Sequence, residues 1–101
     1  MSKVVSLNSY KLQEGASVQD FLAAMDTLIN DFISKQKGVV SSTLFREGEI
    51  WTDYIEFETK EDLMNFITLC NQNDLARKCY SFMDFDTLKS HILTVEKSYK
   101  W

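Results

Sequence analysis

Proline is absent from this sequence and glycine occurs only at Gly15, Gly38 and Gly48, so few places can mark a turn. Proline-rich linkers and low-complexity tracts are thereby excluded. Histidine occurs once, as His91, and the two cysteines, Cys70 and Cys79, form no CxxC pair. No metal-ligand spacing results, no metal is expected, and both thiols read as buried and reduced. Eleven basic residues stand against 15 acidic ones, and they are scattered rather than clustered. A net charge of -4 without a basic patch predicts no nucleic-acid partner. Apolar runs last only a few residues, which predicts neither a membrane span nor a signal peptide, and hence a cytoplasmic protein with no membrane partner.

What is present is a 45% apolar composition over 101 residues, enough for one core, so a single domain over residues 1–101 is expected. Residues 3–12, KVVSLNSYKL, read as a strand that ends at a turn around Gly15. Ser17 with Asp20 resembles a capping box, and Val18, Phe21, Leu22, Met25, Leu28, Ile29, Phe32 and Ile33 recur at steps of three and four. The spacing predicts an amphipathic helix that runs until Gly38. From Val39 to Thr59 the period becomes two, with Glu47-Gly48 offered as the turn of a β-hairpin. Thr59 with Asp62 opens a second helix through Cys70, the NQND stretch at 71–74 breaks it, and a shorter helical piece follows through Met83. Residues 87–97 read as the last strand.

Strand, helix, strand, strand, helix, strand is the ferredoxin-like βαββαβ order, an α+β fold with a four-stranded antiparallel sheet and both helices on one face. Counting across the predicted turn sets Leu44 opposite Trp51, Ser42 opposite Asp53 and Val40 opposite Ile55. Asp53 then lies on the most apolar face of the hairpin, between Trp51 and Ile55. The other face carries Phe45, Ile50 and Tyr54 among hydroxyls, too apolar to be left to water, and a second copy of the chain is expected to cover it.

GVVSSTLFR at 38–46 and DYIEFETKEDLMNFI at 53–67 resemble the dimeric α+β barrel superfamily, most closely its antibiotic-biosynthesis monooxygenase-like domains. The resemblance covers nearly the whole chain. It implies a homodimer with sheets packed face to face and a small-molecule cavity in each subunit between sheet and helices. Relatives include cofactor-free oxygenases of phenolic or quinone-like compounds, haem-degrading oxygenases, and proteins without an assigned reaction. Asn8 matches an asparagine that several relatives turn into the cavity, where its amide would hold a substrate oxyanion. The haem-degrading branch has a tryptophan near the place of Phe66 and a histidine later; NQNDLARKCY has none, so no haem or other cofactor is expected.

For Asp53 two readings stand: a carboxylate paired structurally with Ser42 or a nearby base, or a general base in a pocket. An unpaired buried carboxylate costs several kcal/mol, so Asp53 must be paired or wet. His91 is a second candidate base, against the reading of a packed or solvent-edge residue. Trp51, Phe57, Phe66 and Phe21 are candidate pocket-lining rings or simple core. The functional alternatives are thus a cofactor-independent monooxygenase of a small aromatic compound, using Asn8, Asp53 and His91, and a non-catalytic homodimer that binds a small apolar or aromatic ligand or merely assembles.

Overall fold

Ser17 and Thr59 set where the two longer helices begin. The Ser17 hydroxyl accepts from the Asp20 amide and the Thr59 hydroxyl from the Asp62 amide, each satisfying an N–H that the first helical turn leaves free. The structure, a computed structural model, describes residues 2–101. Its elements are β1 (Val4–Leu12), α1 (Val18–Asp31), β2 (Val39–Glu47), β3 (Ile50–Phe57), α2 (Lys60–Cys70), α3 (Asp74–Tyr80) and β4 (Met83–Thr94). The four strands form one antiparallel sheet in the order β2-β3-β1-β4. This is the expected ferredoxin-like arrangement, with α3 as an extra short helix before the last strand. No helix among the described residues is long and apolar enough to cross a membrane.

Several boundaries differ from the sequence reading. Helix α1 stops at Asp31, and the chain tightens into a 3-10 turn over Ile33–Lys35 before Gly38. Phe32 leaves the helix to lie against Phe66, ring centroids 5.9 Å apart, while Ile33 is buried beneath it. Gly38 has φ +80°, and a side chain there would run into Asp62 at the start of α2, so glycine is required. The break between α2 and α3 lies at NQND, where the Asn73 side chain caps α3 by accepting from the Ala76 amide. Strand β4 starts at Met83 rather than at 87, because Met83 pairs with Leu12 and the Gln13 amide bonds to the Phe82 carbonyl. A wide bulge follows, closed by Thr87, whose hydroxyl accepts from the Lys11 amide.

The hairpin register also differs. Glu47 pairs with Ile50, so the turn residues are Gly48 and Glu49, and Leu44 faces Asp53, Ser42 faces Ile55 and Arg46 faces Trp51. Gly48, with φ +59° at the first central position, suits a type II′ turn, whose twist matches the strands. The shift is two residues in pairing, an even number, so side chains from Ser41 on keep their faces, while a bulge between Val39 and Ser41 turns Val39 to the core and leaves Val40, expected opposite Ile55, exposed. Asp53, Trp51, Ile55 and Phe57 remain on the helix-covered side.

A cavity floored by two rungs of the sheet

Side chains on the covered face line up in rungs across the strands. One rung reads Leu44, Asp53, Asn8, Ser90 and the next Ser42, Ile55, Ser6, Ile92, from β2 to β4. Small polar residues thus occupy positions where a sheet of this kind ordinarily carries large apolar ones. The helices cannot close onto so shallow a floor, and a cavity of about 560 Å³ remains. Met25, Leu28, Ile29 and Ile33 wall it from α1 and the turn after it, Phe66, Ile67 and Cys70 from α2, and Cys79 and Tyr80 from α3. On the β4 side Phe85 and Ile92 line it while being 56% and 46% exposed, so the cavity is open there. The volume falls in the range that holds a drug-sized ligand.

Both ends of the covered face are sealed. Beyond Asn8 and Asp53, Phe21 packs edge-on against Trp51 at 5.2 Å, Phe82 at 5.9 Å and Tyr10 at 6.2 Å. Beyond Ser6 and Ile55, Phe57 packs on Phe66 at 5.2 Å. Of the four rings expected to line a pocket, only Phe66 does so. Trp51, Phe57 and Phe21 are core, because each is enclosed by other rings, and Arg46 covers Trp51 from outside at 4.6 Å.

Asp53 is half-buried in the cavity wall, and its partner is neither Ser42 nor a cation. The Tyr10 hydroxyl, on a residue only 1% exposed, donates to Asp53 Oδ1 at 3.1 Å. Burial pushes the Asp53 carboxyl up to about 6, the tyrosine hydrogen bond pulling the other way. Burial and then the neighbouring carboxylate push the Tyr10 hydroxyl well above the usual phenol range, so Tyr10 stays a donor. Asn8 sits directly across from Asp53 in the β1–β3 ladder, and its amide makes a long 3.4 Å bond to the Ser6 hydroxyl. His91 pairs with Leu7 rather than with a floor residue and is exposed; the alternation of β4 directs it away from Asp53, although it borders the cavity.

Sequence reasoning missed Tyr10 as the partner of Asp53, and the pair of thiols in the wall. Burial raises both Cys70 and Cys79 to about 11, so neither is a thiolate near neutral pH. The readable signal was the set of serines at alternate strand positions, Ser6, Ser42 and Ser90, each on a face otherwise apolar. On the uncovered sheet face, Phe45 is 51% exposed and packs edge-on against Tyr54, whose hydroxyl donates to Glu56, and Ile50 is exposed nearby. No group of three or more potential metal ligands occurs among the described residues.

No protein-family model matches the chain, and no characterised protein matches it by sequence. Solved structures do match by shape. SnoaB, a cofactor-independent oxygenase from Streptomyces nogalater, superposes with a TM-score of 0.80 over 97% of each chain at 14% identity. A candidate antibiotic biosynthesis monooxygenase from Bordetella bronchiseptica gives 0.77 at 15% identity, over 99% of this chain and 100% of that one. A dimeric ferredoxin-like protein from an uncultured marine organism gives 0.71 at 11% identity, covering 100% of this chain and 94% of the other. At such identities the likeness speaks for architecture. The chain therefore shares the ferredoxin-like α+β fold of these structures.

Proposed function

We propose that this protein is a homodimeric, cofactor-independent oxygenase of a small hydroxyaromatic compound, with Asp53 as the general base. The observation that carries the reading is a carboxylate raised to about 6 in the wall of a mostly apolar cavity and bonded to Tyr10. A base at about 6 is closer to the ~10 of a phenol than an ordinary aspartate is, which favours proton transfer at neutral pH. The match in architecture to SnoaB, itself a cofactor-independent oxygenase, supports the same reaction class.

In the proposed reaction Asp53 removes the hydroxyl proton of a bound 1-naphthol, whose para carbon carries a hydrogen. The electron-rich ring passes an electron to dioxygen, the two radicals combine at the ring carbon para to the oxygen, and the Asp53 carboxyl returns its proton to the peroxide. The resulting hydroperoxide loses water: its O–O bond breaks, the ring C–H proton leaves, and a second carbonyl forms. Naphthol and dioxygen thus give a naphthoquinone and water, the ring supplying all four electrons. Asn8, across the ladder from Asp53, would donate its amide to the developing phenolate oxygen, exchanging a long bond to Ser6 for a stronger one to an anion. His91 is assigned no part, since it is exposed and pairs with Leu7. Dimer formation is placed on the uncovered face, with Phe45, Ile50 and Tyr54 at its centre, a reading supported by their exposure and by the dimeric neighbour.

Oxygen uptake with a panel of 1-naphthols tests the reaction. Turnover should fall by about a hundredfold or more in Asp53→Asn, by about tenfold in Asn8→Ala, and stay unchanged in His91→Ala. Full activity in Asp53→Asn removes the base; loss in His91→Ala reassigns it. Light scattering should give a dimer that Phe45→Asp splits into monomers, and a wild-type monomer at micromolar concentration sinks the dimer.

A further inference from the structure

Three helices reach the cavity, and each reaches it with its carbonyl end. Leu28 and Ile29 of the last turn of α1, Cys70 and the capping Asn71 of α2, and Cys79 and Tyr80 of α3 all line it. The carbonyls of these last turns are largely taken, Leu28 accepting from the Phe32 amide, Cys70 from the Asn73 amide and Cys79 from the Phe82 amide, so the charge that the cavity meets is chiefly that of Asp53. No basic residue lies in the last turn of α1 or α2, although the Arg77 guanidinium donates to the Asn71 carbonyl at the end of α2. Helix α3 has Arg77 and Lys78, but both are exposed and neither lines the cavity.

The lining adds a full negative charge and no fixed positive one. It contains no lysine or arginine, and Asp53 is its acidic residue. Around that carboxylate stand Tyr10 and Asn8 on β1, Leu44 on β2, Ser90 on β4 and, near enough to feel its charge, Cys79 and Tyr80 on α3; His91 and Cys70 border the same cavity, His91 on the alternate side of β4. The tyrosines and thiols among them are held neutral by burial. Tyr10 occupies Oδ1, and no other hydrogen bond to the carboxylate occurs among the described residues.

We infer that the cavity sorts its ligands by charge: it takes neutral hydroxyaromatics, takes best those that also carry a protonated amine, and excludes those that carry a carboxylate or phosphate. An ammonium group on the ligand exchanges part of its hydration for the Asp53 carboxylate, in a site where attraction is screened less than in water. A carboxylate entering the same space loses its hydration, meets a like charge, and finds no cation to replace the water. The inference rests on the site proposed above, since it concerns the same cavity, but it concerns binding and needs no turnover.

Calorimetric titration of the whole chain with three probes, under argon at about pH 7.5, tests it. The probes are 2-naphthol, 6-(aminomethyl)-2-naphthol and 6-hydroxy-2-naphthoate, of similar size and differing in charge. The amine should bind at least about tenfold tighter than 2-naphthol and the carboxylate at least about tenfold weaker. In Asp53→Asn the amine and 2-naphthol should draw together to within about threefold. Should that variant not fold, the wild type near pH 5 replaces it, because a carboxyl that titrates at about 6 is then protonated. The inference is overturned if the carboxylate binds as tightly as 2-naphthol, if the amine preference survives both the substitution and the acid, or if no probe binds. Charge order without oxygen uptake would remove the oxygenase and leave this inference standing; uptake without charge order would do the reverse.

Discussion

At one end of the helix-covered face, Phe21, Trp51, Phe82 and Tyr10 interlock without a gap; one rung along, Asn8, Asp53 and Ser90 leave the helices unsupported over open space. The backbone is the same antiparallel ladder in both places, and only side-chain volume differs. Rings at the sealed end bury large areas and hold α1 against the sheet. Serines and an asparagine on the floor bury little, and their presence there is explained by what the space is for rather than by stability. The hollow is tolerated because both ends are well packed, Phe57 and Phe66 closing the far side.

That contrast predicts how substitutions divide. Phe21→Ala, in the sealed cluster, should cost about 3–5 kcal/mol in urea denaturation, the loss of a fully enclosed ring. A cost below about 1 kcal/mol would mean that the cluster is not packed as described. Overfilling comes next in size. Ala76→Leu, at a fully buried position of α3, should cost about 1–3 kcal/mol, whereas Ser42→Leu on the cavity floor should change stability by less than about 1 kcal/mol while abolishing 2-naphthol binding. Equal costs at the two sites would erase the distinction between sealed and hollow.

A smaller effect follows from pH. Asp53 titrates at about 6 in the fold against an ordinary 3.8, so the folded chain holds this proton more tightly than the unfolded one. Its contribution to stability is therefore gained as pH falls through 6 and lost as pH rises through it. Between pH 7 and pH 5 the wild type should gain about 0.5–1 kcal/mol relative to Asp53→Asn, a figure reduced for the partial exposure of the group. Parallel stability curves for the two proteins would show an unshifted carboxyl.

Much of this was legible before the structure. Period and capping residues placed Val18 and Lys60 at the start of helices, and the alternation of β3 put Asp53 on the covered face. Even the misplaced hairpin turn did no harm to that, because a shift of two residues exchanges partners without exchanging faces. What the chain could not reveal was long-range register. Tyr10 and Asp53 lie 43 residues apart, and only the β1–β3 pairing brings the phenol to the carboxylate. The same holds for the rings: Trp51, Phe21 and Phe57 have the spacing of wall and of core alike, and packing across elements decided for core. His91 fell to an analogous gap, its direction depending on the bulge between Asp84 and Lys89 that no local signal announces.

The central claim is that Asp53 is a perturbed carboxylate facing a ligand space. It is tested most directly by following the ¹³C resonance of the Asp53 carboxyl through a pH titration, with and without 2-naphthol. The account predicts a midpoint near 6 that moves when the naphthol is added. A midpoint near the ordinary 3.8, unmoved by the naphthol, would contradict it.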